Sequence, residues 1–395
     1  MSVERRTVVY KTLHLSDSSD LPVLLDIYIP SLPSFTGSSR SLAGLIYFHG
    51  GGLTVGNRNS WFPSWLQKRI TDAGHIFISP DYRLIPSGSV TAHEVLEDIK
   101  DVFRFIADFS FYLSEDIPPS TSGDEPRSIR IHIDPERIAV AGTSAGSLCA
   151  YLAMMHATPK PKAVFSMYGQ GGNFLIPHYY TLKHSIFFRG REILDPALFT
   201  EFLYPACVSP SSLSVADSPN TYFPPDSPSD VTAIPGSLNN TGPPGFPSNR
   251  RMFLGRLYLQ LGEFLDYYTG EHEPGLSAAL RKEAENHQKD DSKPISEILS
   301  NLIPEKHRHL FPSLCTAYSS WSPVYFFHGS LDSAALLQES LDLHDLLTKA
   351  GIQSVMSIAD GMEHSFDYQP NADEVHKKEF DKIGRWLDGF LRGVS

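Results

Sequence analysis

Two short motifs contain residue types that could carry out acyl chemistry. Gly142-Thr143-Ser144-Ala145-Gly146 has the G-x-S-x-G spacing of a serine at a sharp strand-to-helix turn, and His49-Gly50-Gly51-Gly52 is a loop that can present backbone N–H groups. A serine in that position can attack a carbonyl carbon, and the backbone donors can stabilise the negative oxygen that the attack produces. The order and spacing of the two motifs predict that Ser144 is a nucleophile.

A serine nucleophile needs a histidine base, and the base needs a carboxylate that holds its tautomer. Two segments late in the chain supply these residue types directly after predicted strands. Asp332 lies in His328-Gly329-Ser330-Leu331-Asp332, and His364 lies in Gly361-Met362-Glu363-His364-Ser365-Phe366. Since nucleophile, acid and base follow in this order on loops that end strands, the sequence predicts Asp332 as the orienting acid and His364 as the base.

The acid has alternative interpretations at the level of the sequence. Asp332 could be the N-cap of a helix predicted over 334–349. In that case Asp342 or Asp360 would be the acid, although neither has the right position on a loop after a strand. Glu363, next to the predicted base, is interpreted as a surface charge.

Apolar runs and helical periodicity alternate along the first 170 residues and again after residue 321. Gly44–Phe48 is a continuous apolar run, typical of a strand buried on both faces, and it leads directly into the glycine loop. The other predicted strands are Thr7–Leu15, Val23–Ile29, Ile76–Pro80, Arg137–Gly142, Ala163–Met167, Val324–His328 and Ser354–Ile358. The predicted helices are Trp61–Ala73, Val90–Phe109, Ala145–Ala157, Ala334–Lys349 and Asp373–Leu391, and 114–130 is predicted to be a loop. The alternation predicts an α/β fold with a mostly parallel, doubly wound sheet.

The alternation stops inside a long middle segment. An aromatic-rich helical segment is predicted there over 174–204, and further helices are predicted over 251–268 and 276–284. Residues 205–249 are rich in Pro, Ser, Gly and Asn and poor in apolar residues, which predicts a mobile excursion. We therefore predict an α/β core of residues 1–170 and 321–395, and a large, mainly helical cap insertion of residues 171–320.

Composition argues against several functional classes. The 395-residue chain has a net charge of −12 and no Lys/Arg block, which argues against nucleic-acid or anionic-membrane binding. Its three cysteines have no C-x-x-C spacing, which favours a reducing compartment over a disulfide framework. The first residues are polar, and no apolar run reaches the roughly 18 residues of a membrane span. We expect a cytoplasmic protein whose partner is a small molecule.

Other polar residues are interpreted as structural. The Asp81–Arg83 pair is expected to brace the glycine loop, and His49 is expected to form a structural hydrogen bond there. A group around one helix has no further ligand at a metal-binding spacing: His93, Glu94, Glu97 and Asp98. His307 and His309 are expected in a solvated turn. The sequence predicts no metal and no cofactor.

The motifs together resemble those of the hormone-sensitive-lipase-like esterases, a family of α/β-hydrolases. The match covers residues 20–170 and 321–390 and runs in order through His49–Gly52, Asp81–Leu84, Gly142–Gly146, His328–Asp332 and Gly361–Phe366. The resemblance implies an α/β-hydrolase fold, the triad Ser144, His364 and Asp332, and an oxyanion hole made by the N–H groups of Gly51, Gly52 and Ala145.

The chain also departs from that family. Members usually have helices ahead of the first strand that help to cap the site, whereas here a strand is predicted almost at Thr7. The middle insertion is longer than the usual cap. We therefore expect the cap to be built largely from 174–320, so that the family's substrate pocket does not transfer.

The motifs favour a serine esterase that forms an acyl-enzyme. The aromatic-rich insertion favours an apolar, bulky acyl or alcohol group over a charged one. Two other functions are compatible with the same motifs. One is acyl transfer, or ester or C–C processing of a polyketide-like product, and the other is ligand binding without catalysis. The complete Gly-x-x-His-x-Phe context of His364 argues against the last.

Overall fold

A computed structural model describes residues 3–15, 18–32, 38–114, 128–209, 214–226, 243–287 and 294–393. Its strands are β1 Glu4–His14, β2 Asp20–Ile29, β3 Ser39–Phe48, β4 Ile76–Pro80, β5 Ser110–Ser114, β6 Ser128–Thr143, β7 Val164–Met167, β8 Val324–Gly329 and β9 Ser354–Ala359. Its helices are α1 Ser64–Asp72, α2 Ala92–Asp108, α3 Ala145–His156, α4 Pro177–Tyr180, α5 Leu254–Leu261, α6 Phe264–Thr269, α7 Leu276–His287, α8 Ile295–Leu302, α9 Glu305–Arg308, α10 Leu337–Lys349, α11 Ala372–Val375 and α12 Lys377–Arg392.

The strands form one mixed sheet in the order β1-β2-β4-β3-β6-β7-β8-β9, with β5 paired antiparallel to β6. β2 is antiparallel to both β1 and β4, whereas every neighbouring pair from β4 to β9 along this order is parallel. The carboxyl ends of parallel strands meet at one edge of a sheet, which is where ligands bind in open α/β folds. The glycine loop, Ser144, Asp332 and His364 follow β3, β6, β8 and β9, so the topology gathers them at that edge.

Both faces of the sheet are covered, as the continuous apolar strands predict. On β3, Leu45 and Tyr47 pack into the cluster that contains the apolar side chains of α1 and α12. Ile46 and Phe48 point to the opposite face and pack with α2, α3 and the middle insertion. The predicted mostly parallel, doubly wound α/β fold is therefore confirmed.

Two core helices begin where local chemistry favours them. At α2, the Thr91 side chain accepts from the backbone N–H of His93, while the Glu94 carboxylate accepts from the Thr91 N–H and completes a capping box. At α3, the helix starts directly after Ser144, so its first backbone N–H groups lie beside that serine.

Helices α4 to α9 all lie between β7 and β8. The helix predicted over 174–204 is wrong: the structure has only the short α4 and a 3₁₀ segment, Pro196–Phe202. Gly190 has a φ of +64°, and Pro196 has no N–H to donate, so a continuous helix cannot pass through this stretch. The aromatic residues are buried by tertiary packing instead. The helix predicted over 251–268 divides into α5 and α6 at Gly262, which has a φ of +61°.

The Pro/Ser-rich stretch 205–249 was predicted to be mobile, and residues 210–213 and 227–242 of it lie outside the described residues. Its described part is hydrogen-bonded to the rest of the structure. The Gly56 N–H donates to the Ser218 carbonyl, and the Leu84 N–H donates to the Val215 carbonyl. The loop predicted over 114–130 is wrong at both ends, because Ser114 ends β5 and Ser128 begins β6. Residues 115–127 are outside the described part.

No helix in the described part of the chain is long and apolar enough to cross a membrane.

Candidate active site

Ser144 stands at the turn between β6 and α3 with a strained backbone. Its φ is 54° and its ψ is −125°, a conformation that residues with a side chain seldom adopt. The flanking glycines make the turn possible. A Cβ on Gly142 would lie 2.0 Å from the Gly146 carbonyl oxygen, and a Cβ on Gly146 would lie 2.0 Å from the Phe48 carbonyl oxygen. The motif therefore needs glycine at both positions for the backbones to approach this closely.

The structure brings Ser144, His364 and Asp332 into one hydrogen-bonded chain. The Nε2 atom of His364 is 3.0 Å from the Ser144 Oγ, and its Nδ1 atom is 2.6 Å from Asp332 Oδ2. A carboxylate only accepts, so Nδ1 carries the proton and Nε2 offers its lone pair to the serine hydroxyl. This tautomer can take a proton from the serine.

Asp332 is buried and satisfied on all sides. Its Oδ1 accepts from the backbone N–H groups of Ala334 and Ala335 at 2.9 and 3.0 Å, so Asp332 also caps the turn that leads to α10. The Nε2 of His328 lies 3.3 Å from Asp332 Oδ2. Burial by itself raises the pKa of Asp332, but the neighbouring His364 and His328 outweigh it and hold the pKa below its ordinary value. The carboxylate is therefore charged at neutral pH.

The alternative acids lie elsewhere. Asp342 accepts from the side-chain amide of Asn173, and Asp360 accepts from the Ser330 hydroxyl. Glu363 is half-buried instead of being a free surface charge. Its carboxylate accepts from the Ser333 hydroxyl and backbone N–H and from the N–H of His364, so it ties the loop of the acid to the loop of the base.

The glycine loop approaches Ser144 from β3. Gly51 and Gly52 have φ values of +107° and +64°, and a Cβ on Gly51 would lie 2.0 Å from the Val55 carbonyl oxygen. Among the described residues, the N–H groups of Gly51, Gly52 and Ala145 donate to no protein acceptor. Gly51 and Gly52 line the same cleft as Ser144, and Ala145 is the next residue after it in the chain.

His49 has the structural position expected for it. Its buried ring stacks on Tyr82 with the centroids 4.3 Å apart, and its Nδ1 donates to the Gly50 carbonyl at 2.7 Å. Burial lowers the pKa of His49 to about 4, so the ring is neutral at physiological pH. The Tyr82 hydroxyl donates to the His49 carbonyl, and it is therefore Tyr82 that braces the loop.

The expected pairing of Asp81 with Arg83 is wrong. Asp81 accepts from both the backbone N–H and the guanidinium of Arg58 at 2.6 Å, whereas Arg83 binds the buried Asp98. Both residues lie beyond the end of β4 at Pro80, so no strand geometry holds their side chains together, and each reaches a separate partner.

The group around α2 has structural partners. Glu94 caps the helix, and Asp98 pairs with Arg83 and Lys11. His307 is wrongly predicted as solvated, because it is buried between the His93 Nε2 at 2.9 Å and the Glu271 carboxylate at 2.9 Å. Within the described ranges, no three His, Cys, Asp or Glu side chains are arranged to hold a metal ion.

A cleft opens directly onto Ser144 and His364. Its volume is about 150 Å³, roughly ten times the space that one water needs. The insertion supplies one wall: Phe188, Arg189, Arg191, Tyr222, Met252, Arg256, Leu259 and Phe264. The core supplies the other, including Gly51, Gly52, Trp61, Tyr168, Gln170 and Tyr368. A small molecule in this cleft would contact the serine and both layers of the protein.

Arg251 attaches the insertion to the glycine loop. Its buried guanidinium donates to three backbone carbonyls, those of Thr54, Ile85 and Pro86, at 2.7 to 3.0 Å. Immediately beyond it, the Cα of Gly255 lies 3.4 Å from the position of a Cβ on Gly52. The first turn of α5 therefore packs on the loop that faces Ser144.

Sequence reasoning missed several residues that shape the site. The Tyr168 ring packs edge-on against the His364 ring with the centroids 4.6 Å apart, and its hydroxyl donates to Asp367 at 2.6 Å. His328, Arg251 and Arg256 were not singled out either. The one local signal is three arginines within 250–256, at the start of the helix predicted over 251–268.

The sequence of this chain is similar to a protein family and to several known proteins. A family model described as an alpha/beta hydrolase fold matches residues 45–195. A probable carboxylesterase from Phoma sp. is 27% identical over 178 residues, which is 44% of this chain and 49% of that protein. A non-reducing polyketide synthase from Aspergillus calidoustus is 23% identical over 374 residues, 90% of this chain but 13% of the synthase. The chain thus spans half or less of the length of these relatives.

Solved structures share the fold at low sequence identity. An alpha/beta hydrolase superfamily protein from Enterococcus faecalis has a TM-score of 0.53 and 14% identity, with 96% of this chain and 98% of that chain covered. An esterase from Mycobacterium marinum has a TM-score of 0.51 and 16% identity, with 98% and 82% covered. At such identities the likeness concerns the fold alone.

Proposed function

Because the chain belongs to the α/β-hydrolase superfamily, in its hormone-sensitive-lipase-like branch, we propose that it hydrolyses carboxylic esters through a covalent acyl-enzyme. The observation that carries this proposal is the hydrogen-bonded chain from the Ser144 hydroxyl through His364 to Asp332, at the floor of a cleft. The similarity to a probable carboxylesterase supports the same reaction.

In the first half-reaction, the Ser144 Oγ attacks the ester carbonyl carbon while the His364 Nε2 takes the hydroxyl proton. The C–O bond to the alcohol then breaks, and His364 gives its proton to the departing alcohol. In the second half, His364 takes a proton from water while the water oxygen attacks the acyl carbon. The C–O bond to the Ser144 Oγ then breaks, His364 returns the proton to that oxygen, and the acid is released. Asp332 keeps His364 in the required tautomer and stabilises its positive form in both halves.

The carbonyl oxygen becomes negative in each tetrahedral intermediate. In this proposal it is stabilised by the N–H groups of Gly51, Gly52 and Ala145, which donate to no protein acceptor among the described residues. Loss of one such donor typically costs on the order of 10² to 10³ in rate. The role does not depend on side chains at these positions, which agrees with the close backbone contacts that require glycine in the loop.

The direct test is the intact mass of the protein after exposure to a small serine-reactive organophosphonate. We expect one adduct on the wild type and none on Ser144→Ala. With p-nitrophenyl esters, Ser144→Ala and His364→Ala should each lower turnover by at least about 10³-fold, because the members of a triad act as a unit. A wild-type protein that forms no adduct and cleaves no ester would refute the proposal and favour ligand binding without catalysis.

A second candidate function uses the same serine for a different acyl acceptor. The chain aligns over 90% of its length with a segment of a polyketide synthase, which favours a polyketide-like acyl group and its transfer or processing. Incubation with an acyl thioester, with and without a small alcohol or amine, distinguishes the two functions. Hydrolysis releases the free acid whatever the acceptor, whereas a transferase accumulates the new ester or amide.

A further inference from the structure

We propose that the substrate carries a carboxylate in addition to the scissile ester, and that Arg256 binds this carboxylate inside the cleft. The inference rests on the proposed function and extends it to the class of ester. The proposed substrate therefore has a carboxylate in addition to the apolar acyl or alcohol group that the aromatic-rich insertion favours.

Arg256 is buried and lacks a protein partner for its charge. It is 8% exposed and lines the same cleft as Ser144 and His364. Among the described residues, no carboxylate lies within the 4.0 Å of an ion pair, and no acceptor takes a hydrogen bond from its guanidinium. The guanidinium lies over the Phe253 ring, 5.8 Å from its centroid, and its N–H donors have no protein acceptor among the described residues.

Arg251, five residues earlier, is the internal comparison. It is also buried, at 9% exposed, but its guanidinium donates to three backbone carbonyls and so has a structural task. Burial lowers the pKa of both arginines to about 10, so both remain charged at neutral pH. The guanidinium of Arg256 opens onto the cleft and has no protein acceptor among the described residues, so its N–H donors are free to bind an acceptor that arrives with the ligand.

Two more arginines increase the positive potential of the cleft. Arg189 and Arg191 line it together with Arg256, and neither forms an ion pair with a described residue. Burial is the largest cause that lowers the pKa of Arg256, and the positive charge of Arg191 is the second. The exposed Glu192 raises the pKa of Arg256, but by less. Arg189 and Arg191 are exposed, and with Arg256 they give this part of the cleft an excess of positive charge over Glu192, which favours an anionic ligand.

The rest of the lining defines the remainder of the substrate. Phe188, Met252, Leu259 and Phe264 present apolar surface in the same cleft as the arginines and Ser144. Arg256 follows Gly255, whose Cα packs on Gly52, so its side chain starts beside the glycine loop. An ester with an apolar chain and a terminal carboxylate fits both features, since a guanidinium binds a carboxylate through two parallel hydrogen bonds.

The test compares esters that differ only in the remote group. Mono-p-nitrophenyl adipate and p-nitrophenyl hexanoate place the carboxylate on the acyl side, and 4-carboxyphenyl and 4-carbamoylphenyl hexanoate place it on the alcohol side. We expect the wild type to prefer the anionic member of at least one pair in kcat/KM. Arg256→Met should lower that preference at least tenfold and change the neutral ester less than threefold, with Arg256→Lys in between.

Lys282→Met is the matched control, because it removes one positive charge from an exposed position on the same insertion. It should leave the preference unchanged. An equal loss for neutral and anionic esters in Arg256→Met would overturn the inference in favour of a general electrostatic role at the oxyanion. A wild-type preference for the neutral ester in both pairs would also overturn it.

A binding measurement separates this inference from the proposed function. In the Ser144→Ala background, calorimetric titration with monomethyl adipate and methyl hexanoate reports recognition without turnover. We expect tighter binding of monomethyl adipate, and a dissociation constant at least tenfold higher when Arg256→Met is added. Equal affinities in the presence and absence of Arg256 would refute the carboxylate site, whatever the ester kinetics show.

Discussion

Asp332→Asn is the substitution whose consequence follows most directly from the geometry. The Asp332 Oδ1 accepts from the N–H groups of Ala334 and Ala335, so the carbonyl oxygen of an asparagine must occupy that position. Its NH₂ group is then forced to the Oδ2 position, 2.6 Å from the His364 Nδ1. Because an NH₂ group donates, His364 must present an unprotonated Nδ1 and carry its proton on Nε2. In that tautomer the ring cannot take the proton of Ser144.

The expected loss is large because the wrong tautomer removes the base while the geometry stays intact. Triad aspartates changed to asparagine typically lower kcat by about 10⁴-fold. That factor corresponds to a barrier higher by about 5 kcal/mol. The asparagine NH₂ also faces His328, whose Nε2 donates to the Ala335 carbonyl at 2.9 Å, so no neighbouring group restores the original tautomer.

The assay is kcat for a p-nitrophenyl ester, measured for Asp332→Asn and for Asp360→Asn as the control on a nearby loop. Circular dichroism and thermal unfolding confirm that each variant is folded. We expect Asp332→Asn to lose about 10³- to 10⁴-fold in kcat and Asp360→Asn to stay within threefold of the wild type. A near-wild-type rate for Asp332→Asn together with a large loss for Asp360→Asn would show that the acid is misassigned.

Three further substitutions test how the site is supported. Arg251→Met should lower the free energy of unfolding by about 2 to 4 kcal/mol in urea denaturation, because it leaves three buried carbonyls unpaired, whereas Lys282→Met should have little effect. Gly146→Ala should lower the free energy of unfolding by more than about 2 kcal/mol or prevent folding, because its Cβ meets the Phe48 carbonyl oxygen. The control Gly389→Ala lies at an open helical position and should raise the free energy of unfolding slightly. Equal effects of the two substitutions would contradict the argument. Burial raises the pKa of Glu339 to about 8, so the folded state holds a proton that the unfolded chain loses near pH 4.5, and wild-type stability should fall as pH rises through that window. Burial also raises the pKa of Asp81, Asp266 and Asp367, so Glu339→Gln should make the fall shallower without abolishing it, and parallel pH profiles for variant and wild type would argue against a protonated Glu339.

The strands and the turn at Ser144 could be predicted because their causes are local. A continuous apolar run such as Gly44–Phe48 needs burial on both faces, and two glycines around a serine allow one sharp turn. The helix predicted over 174–204 failed for the opposite reason. Its aromatic spacing is compatible with a helix, but Tyr179 and its neighbours are buried by contacts with distant segments, and Pro196 interrupts the backbone pattern.

The same division holds at the candidate site. The order of Ser144, Asp332 and His364 along strand-ending loops is a property of the sequence, because parallel strands bring their carboxyl ends to one edge. Sequence could not decide that Arg83 binds Asp98 rather than Asp81, or that Glu363 joins two loops, since side-chain partners depend on directions set by packing.

The chain by itself therefore determined the chemistry that is available, namely a serine, a histidine, a carboxylate and backbone donors on an α/β sheet. Only the tertiary structure decided which side chains line the cleft that faces these groups. Arg251 and Arg256 have the same residue type and neighbouring positions, yet one is saturated by backbone carbonyls and the other faces the cleft without an acceptor. The difference arises because the carbonyls that Arg251 binds belong to segments distant in the chain. Local sequence does not encode which of the two guanidinium groups meets those carbonyls.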